Sequence, residues 1–367
     1  MPVQNSSRVV TGFFIFILLA CPAHGQEAAK QRISGKLIEV KISSPSLKGN
    51  LLGDPAEQPI AVYLPPGYDA SPSKRYPTVY LLHGFGGSSK TWTRGSQWDI
   101  EPLLNAMMGD GKIREMIVAV LNGKNAYGGS FYTNSAVTGN WEDYVIRDVV
   151  AHMDANYRTL SRSSSRGIVG HSMGGYGAVA VGMRHPEVFS AVYALSPCCL
   201  GLEGDFKEAN PVWKHVGSVT SKDQLPGEPK SLDDFYTKVY AALSAAFSPN
   251  ASHAPLYSDF LYQERNGKLE RNEAVAAKWQ SKMPLYTVEE NKQNLLSLRG
   301  LFVDYGQKEE FSHIRLATSL FSKALAERGI PHVFEVYEGG THSSKIKERL
   351  ETRVFGFFSD RLDFSAP

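Results

Sequence analysis

Short apolar runs of β type alternate with segments of helical spacing along most of the chain, a rhythm that predicts βα units and a mainly parallel sheet. Leu37–Ile42 and Ile60–Leu64 read as early strands, parted by a loop containing glycine, proline and asparagine. Thr78–Leu82 is a continuous apolar strand that runs into His83-Gly84-Phe85-Gly86-Gly87, and Met116–Leu121 is another, ending in the glycine-rich stretch 122–130. Asp143–Tyr157 has helical spacing, with Val145, Val149 and Met153 on one face. Gly167–Gly170 reads as a short strand before a turn at Ser172 and a helix from about Gly175 to Arg184. Ser190–Leu195, Leu301–Asp304 and His332–Tyr337 complete the strands, and helices are expected over Ser312–Arg328 and Ser344–Arg361.

Between Pro197 and Pro284 the strand rhythm stops. That stretch is too long for a plain loop and carries helical patches at Leu232–Ala246 and Glu273–Lys282. It predicts a helical cap over 198–283, inserted within a single α/β domain spanning 33–367. The length of 367 residues suits such a domain, and the 42% apolar content supports a buried core. Formal net charge is +2, with no basic stripe, which argues against a nucleic-acid partner.

The N-terminus changes the picture. Arg8 precedes an apolar run from Val9 to Ala20, followed by Ala23 and Gly25 in an A-x-G arrangement. Those features predict an export signal over 1–25 and a secreted or periplasmic protein; the run is short of the roughly 20 apolar residues that span a bilayer. Leu18-Leu19-Ala20-Cys21 resembles a bacterial lipobox, which would place a lipid on Cys21 and tether the protein to a membrane. Leucine in its second place departs from that motif, so simple secretion is the expectation. Beyond Gly25 only Cys198 and Cys199 remain. Neighbouring Cα atoms stand about 3.8 Å apart, whereas a disulfide wants about 4.4–6.8 Å, so two buried free thiols are expected. No metal-type cysteine spacing is present.

Gly170-His171-Ser172-Met173-Gly174 fits G-x-S-x-G, the turn that exposes a nucleophilic serine between a strand and a helix. The helix that follows offers its N-terminal amides to a developing oxyanion. His83–Gly87 follows the third strand, where α/β-hydrolases place the other half of the oxyanion hole, so the amides of Phe85 and Met173 are the expected donors. His83 itself is expected to be a structural hydrogen-bonding group. The fold orders its triad serine, acid, histidine, and Gly339-Gly340-Thr341-His342 after the last strand makes His342 the expected base. For the acid three residues stand open: Asp304 ends a strand, while Glu309 and Glu310 occupy the following loop, a position that favours Glu309. No cofactor or metal is needed for this chemistry.

Together these residues resemble the esterase D or "putative esterase" family, which includes S-formylglutathione hydrolases, feruloyl esterases and mycolyltransferases. The resemblance covers most of Ile60–Arg361, on Tyr63–Tyr68, Tyr76–Gly87, Gly170–Gly175, Asp304–Phe311 and Gly329–His342. It implies an α/β-hydrolase fold and a serine esterase, and it places the family's catalytic aspartate on Glu309, where this sequence carries the longer carboxylate; Asp304 is the fallback. Trp92, Trp98, Tyr127, Phe131, Tyr132 and Trp141 lie in loops expected near the site mouth, where rings either stack on a phenolic acyl group or a sugar or, as is commoner, are simply core. The expected substrate is a small-molecule or carbohydrate ester. An acyltransferase with the same triad, a peptidase, and a non-catalytic binding protein on a hydrolase scaffold are the rival readings.

Overall fold

A computed structural model of the chain describes residues 1–4 and 34–366. The chain divides into 1–32 and a compact unit, Ile33–Pro367, and the second carries every regular element below. Apart from exposed residues 1–4, the segment read as an export signal lies outside the described residues.

The strands are β1 (Lys36–Ser43), β2 (Glu57–Leu64), β3 (Thr78–Leu82), β4 (Ile117–Val120), β5 (Arg166–His171), β6 (Ala191–Leu195), β7 (Gly300–Gly306) and β8 (Val333–Tyr337). They form one eight-stranded sheet in the order β1-β2-β4-β3-β5-β6-β7-β8. β1 and β2 pair antiparallel, as do β2 and β4; all later pairs are parallel. This is the α/β-hydrolase arrangement. β3 to β6 are buried along their whole length, which is why their sequences read as apolar runs rather than alternating ones. The strand period of two still divides the core. Tyr80, Leu82, Ile117, Ala119 and Ile168 join the helices over 141–156 and Met173–Arg184 on one face. Val79, Leu81, Val118, Val120 and Val169 join Ile100–Gly109 and the C-terminal helix on the other.

The helix expected from Asp143 begins at Trp141 and runs to Asn156, with π pitch over Tyr144–Val149. The Asn134 side chain accepts the amides of Glu142 and Asp143 at 2.9 and 3.0 Å, which fixes the earlier start. Between β6 and β7 lie helices Val212–Gly217, Leu232–Phe247, Glu273–Gln280 and Lys292–Ser297. A small hairpin, Tyr262–Arg265 with Lys268–Arg271, was not anticipated among them. Its strands are mostly charged, so no apolar alternation announces them. Its turn does: Asn266 and Gly267 both adopt positive φ, the conformation an Asn-Gly hairpin turn demands. No helix of the described residues is long and apolar enough to cross a membrane.

Candidate active site

Ser172 sits where β5 gives way to the Met173–Arg184 helix, at φ 57° and ψ −116°. Held in that region, a residue with a side chain carries strain of about 1–3 kcal/mol. The turn is as tight as its flanking glycines permit: a Cβ on Gly170 would run into the Gly174 carbonyl, and one on Gly174 into the Leu82 carbonyl. The helix starts at Met173, two residues before the periodicity predicted, because the sharp turn itself supplies its first residues. Met173 is thus the first helical residue, and its amide has no intrahelical partner. The Ser172 carbonyl accepts the amides of Tyr176 and Cys198 at 3.0 and 3.1 Å, which secures the turn from two sides.

The loop after β3 is braced by His83. Its Nδ1 donates to the Gly84 carbonyl at 2.7 Å, and its Nε2 accepts the Gly123 amide at 2.8 Å. Burial pushes its pKa down to about 4, so it stays neutral. Tyr132 spans the same residue, its hydroxyl bonding the His83 amide and carbonyl at 3.0 and 3.1 Å. The amides of Gly86 and Gly87 are taken by the carbonyls of Gly128 and Gly84. The Phe85 amide meets no acceptor among the described residues. Gly84 packs against the Ser172 side chain, so this loop and the serine turn are adjacent.

His342 follows β8. Its Nδ1 donates to Glu309 Oε2 at 2.8 Å, and that carboxylate is completely buried. The other oxygen of Glu309 accepts the Phe311 amide at 3.2 Å. Glu310 binds the same histidine by a different route, accepting its backbone amide at 2.7 Å. Asp304 is elsewhere: fully buried, it accepts from the Tyr193 hydroxyl at 2.7 Å and from Arg349 at 2.6 and 3.0 Å. Arg349 also binds Glu335 at 2.7 Å. Of the three open carboxylates, the structure therefore brings Glu309 to the His342 ring.

His171, inside the serine motif, was not singled out from sequence. Its Nε2 donates to the His342 carbonyl at 2.8 Å, and the two rings lie 4.5 Å apart. Burial, reinforced by the neighbouring His342, holds its pKa well below the ordinary imidazole value. It is a neutral strut between the two loops.

Ser172 and His342 line one open cleft of about 270 Å³, together with Gly84, Phe85, Trp98, Phe235 and Phe311. Of the aromatics expected at the mouth, Trp98 lines this cleft. Trp92, Tyr127, Tyr132 and Trp141 are core residues, and Phe131 is buried beside an inner cavity. The rings that do shape the cleft, Phe235 and Phe311, come from the stretch read as a cap and from the loop read for its acids. Cys198 and Cys199 are buried and free, as their spacing required. No group of three or more metal-type ligands occurs among the described residues.

The chain is 30% identical over 139 residues to an endo-1,4-beta-xylanase/feruloyl esterase of Xylanibacter ruminicola, a match covering 35% of this chain and 18% of that protein. It is 24% identical to an acetyl esterase of Caldicellulosiruptor saccharolyticus, over 52% of this chain and 69% of that one. In fold it is similar to a ferulic acid esterase, with a TM-score of 0.61 at 19% identity over 90% of this chain and 100% of the other. Residues 55–352 match the family described as "Putative esterase", which takes in both the Ser172 turn and the His342 loop, and the chain belongs to that family.

Proposed function

We propose that this chain is a serine carboxylesterase that works through an acyl-enzyme. The observation that carries the reading is the convergence in one cleft of Ser172, on its strained turn, and His342, its Nδ1 held by Glu309. Ser172 Oγ attacks the ester carbonyl while His342 Nε2 takes its proton. Glu309 keeps the hydrogen on Nδ1, leaving Nε2 free to accept, and stabilises the imidazolium that forms. The amides of Phe85 and Met173 receive the tetrahedral oxyanion. His342 then returns the proton to the leaving alcohol, and water releases the acid by the same steps in reverse roles. Relatives named as feruloyl and acetyl esterases support ester chemistry.

The test is hydrolysis of a small ester panel by the protein and by Ser172→Ala, with mass spectrometry after a serine-reactive phosphonate. Turnover lost in the variant and an adduct on Ser172 are expected. Folded protein that neither turns over any ester nor takes the adduct would sink the reading. Export directed by residues 1–25 belongs to the same proposal, with Gln26 expected as the first residue of the secreted form by N-terminal mass mapping.

A further inference from the structure

Behind the open cleft lies a second, much smaller cavity of about 20 Å³ that also reaches Ser172. Its walls are mostly apolar: Phe85, Phe131, Phe235, Val239, Phe311 and Ile314. His313 and Tyr236 interrupt them, both bound to Asp205, and Cys198 and Cys199 complete the wall. The His313 side chain is 6% exposed, and Asp205 commits one of its nitrogens. Asp205 Oδ2 accepts both His313 Nδ1, at 2.8 Å, and the His313 amide, at 3.0 Å, while Oδ1 accepts the Ser312 hydroxyl at 2.8 Å. The hydrogen is thereby fixed on Nδ1, which leaves a lone pair on Nε2. Burial also lowers the His313 pKa despite Asp205, so the ring is neutral. Nε2 has no hydrogen-bond partner among the described residues. A largely apolar cavity that offers an oriented imidazole acceptor discriminates in favour of a ligand that brings a donor.

Resting on the esterase reading, we propose that this inner cavity is the acyl subsite and that His313 Nε2 accepts a hydrogen bond from a hydroxyl on the acyl group. The size sets the class. A space of this volume admits about one water-sized group, which the hydroxyl alone would fill; the acyl chain carrying it is therefore short and aliphatic, and the alcohol portion of the ester lies in the open cleft. A benzene ring exceeds that space, and the Phe235 and Phe311 rings on its wall pack on each other at 5.6 Å.

The experiment compares methyl esters of hydroxy acids with isosteres in which methyl replaces the hydroxyl: glycolate with propionate, 3-hydroxypropionate with butyrate, 4-hydroxybutyrate with valerate, and 4-hydroxycinnamate with 4-methylcinnamate. Each pair is run on the protein, His313→Asn and His313→Gln. Asparagine keeps the bond to Asp205 and lacks the distal acceptor; glutamine reaches the cavity with an acceptor and gives up Asp205. At least one aliphatic pair should favour the hydroxy ester by about tenfold or more in kcat/KM, as one buried hydrogen bond would. The preference should fall to near unity in His313→Asn and return in part in His313→Gln. A purely structural His313 would leave the preference intact in His313→Asn, and that overturns the proposal. So does the absence of preference in every aliphatic pair, or a preference confined to 4-hydroxycinnamate. Phosphonate labelling of Ser172 in each protein separates the two ideas: labelling and turnover without hydroxyl preference defeat the subsite alone, and neither labelling nor turnover defeats both.

Discussion

Two carboxylate–imidazole pairs flank the same serine, one in the open cleft and one behind it. Glu309–His342 and Asp205–His313 are built alike, each with Nδ1 2.8 Å from a carboxylate oxygen and each with a carboxylate that also caps a backbone amide. What separates them is the surroundings of the second nitrogen. His342 shares the open cleft with Ser172 and the Phe85 loop, while His313 faces a smaller, largely apolar cavity walled by rings. On the readings proposed above, the same two-residue device serves as a base where it meets a nucleophile and as a recognition element where it meets a substrate tail. Pair geometry alone does not assign a role.

The sharpest way to break that comparison is to neutralise each carboxylate in turn. Glu309→Gln should lower kcat for a methyl acetate-type ester by about 10³–10⁴-fold, because it no longer enforces the right tautomer. Asp205→Asn should change the same kcat by less than about threefold. Equal losses in stopped assays of the two variants would erase the distinction. The third carboxylate, Asp304, supplies a control of another kind. Arg349→Met strips a fully buried carboxylate of its cation and should cost about 3–5 kcal/mol in urea unfolding. The kcat of the protein that remains folded should change far less than in Glu309→Gln.

A fourth pair sharpens the comparison through pH. Glu142 binds both Arg184, at 2.8 Å, and His185, also at 2.8 Å, away from the cleft. Burial pushes its carboxyl up, but the hydrogen bonds and charges of His185 and Arg184 outweigh that and hold its pKa at about 2. His185 is raised in the fold: burial opposes the charged form, and the Glu142 and Glu187 carboxylates overcome it. The depressed carboxylate contributes stability above its unfolded value near 4.5, on the order of 3 kcal/mol, that is lost as pH falls toward 2. The raised histidine contributes below about 6.5 and loses its share as pH rises through its folded value. Unfolding free energy followed by urea titration should therefore drop below pH 4.5 in the protein and much less steeply in Glu142→Gln, whose kcat should be unaltered. The smallest effect concerns the turn itself: Ser172→Gly should abolish turnover yet raise the thermal midpoint, because glycine relieves strain of about 1 kcal/mol or more at φ 57°.

The sheet and the serine turn were legible in the sequence because local sterics write them there. Strands buried on both faces must be apolar throughout, and the turn at Ser172 leaves no room for side chains at Gly170 or Gly174. Chain order singled out His342, which shares the cleft with Ser172. Loop position and the family motif favoured Glu309 for the acid, but which of Asp304, Glu309 and Glu310 meets the imidazole depends on where tertiary structure aims them. The aromatics were open for a related reason: Trp92 and Trp141 have the composition of a binding wall, and only burial shows them to be core, the commoner of the two readings. Asp205 and His313 were invisible as a pair, since they stand 108 positions apart and meet only when the segment after β6 folds back onto the helix after β7.

The adjacency of Glu309 and Glu310 has a consequence for alignment and grafting. Successive residues of that loop reach His342 through different atoms, one through the ring and one through the main chain. Its length is thus as much a part of the chemistry as its composition. Deleting one residue between Gly306 and Glu309 would bring Glu310 into register with the imidazole and leave the main chain of His342 unheld, while inserting one would offer the imidazole Lys308. A gap placed in this loop when it is transplanted to another esterase scaffold would thus change which side chain meets His342 even where the local composition looks the same.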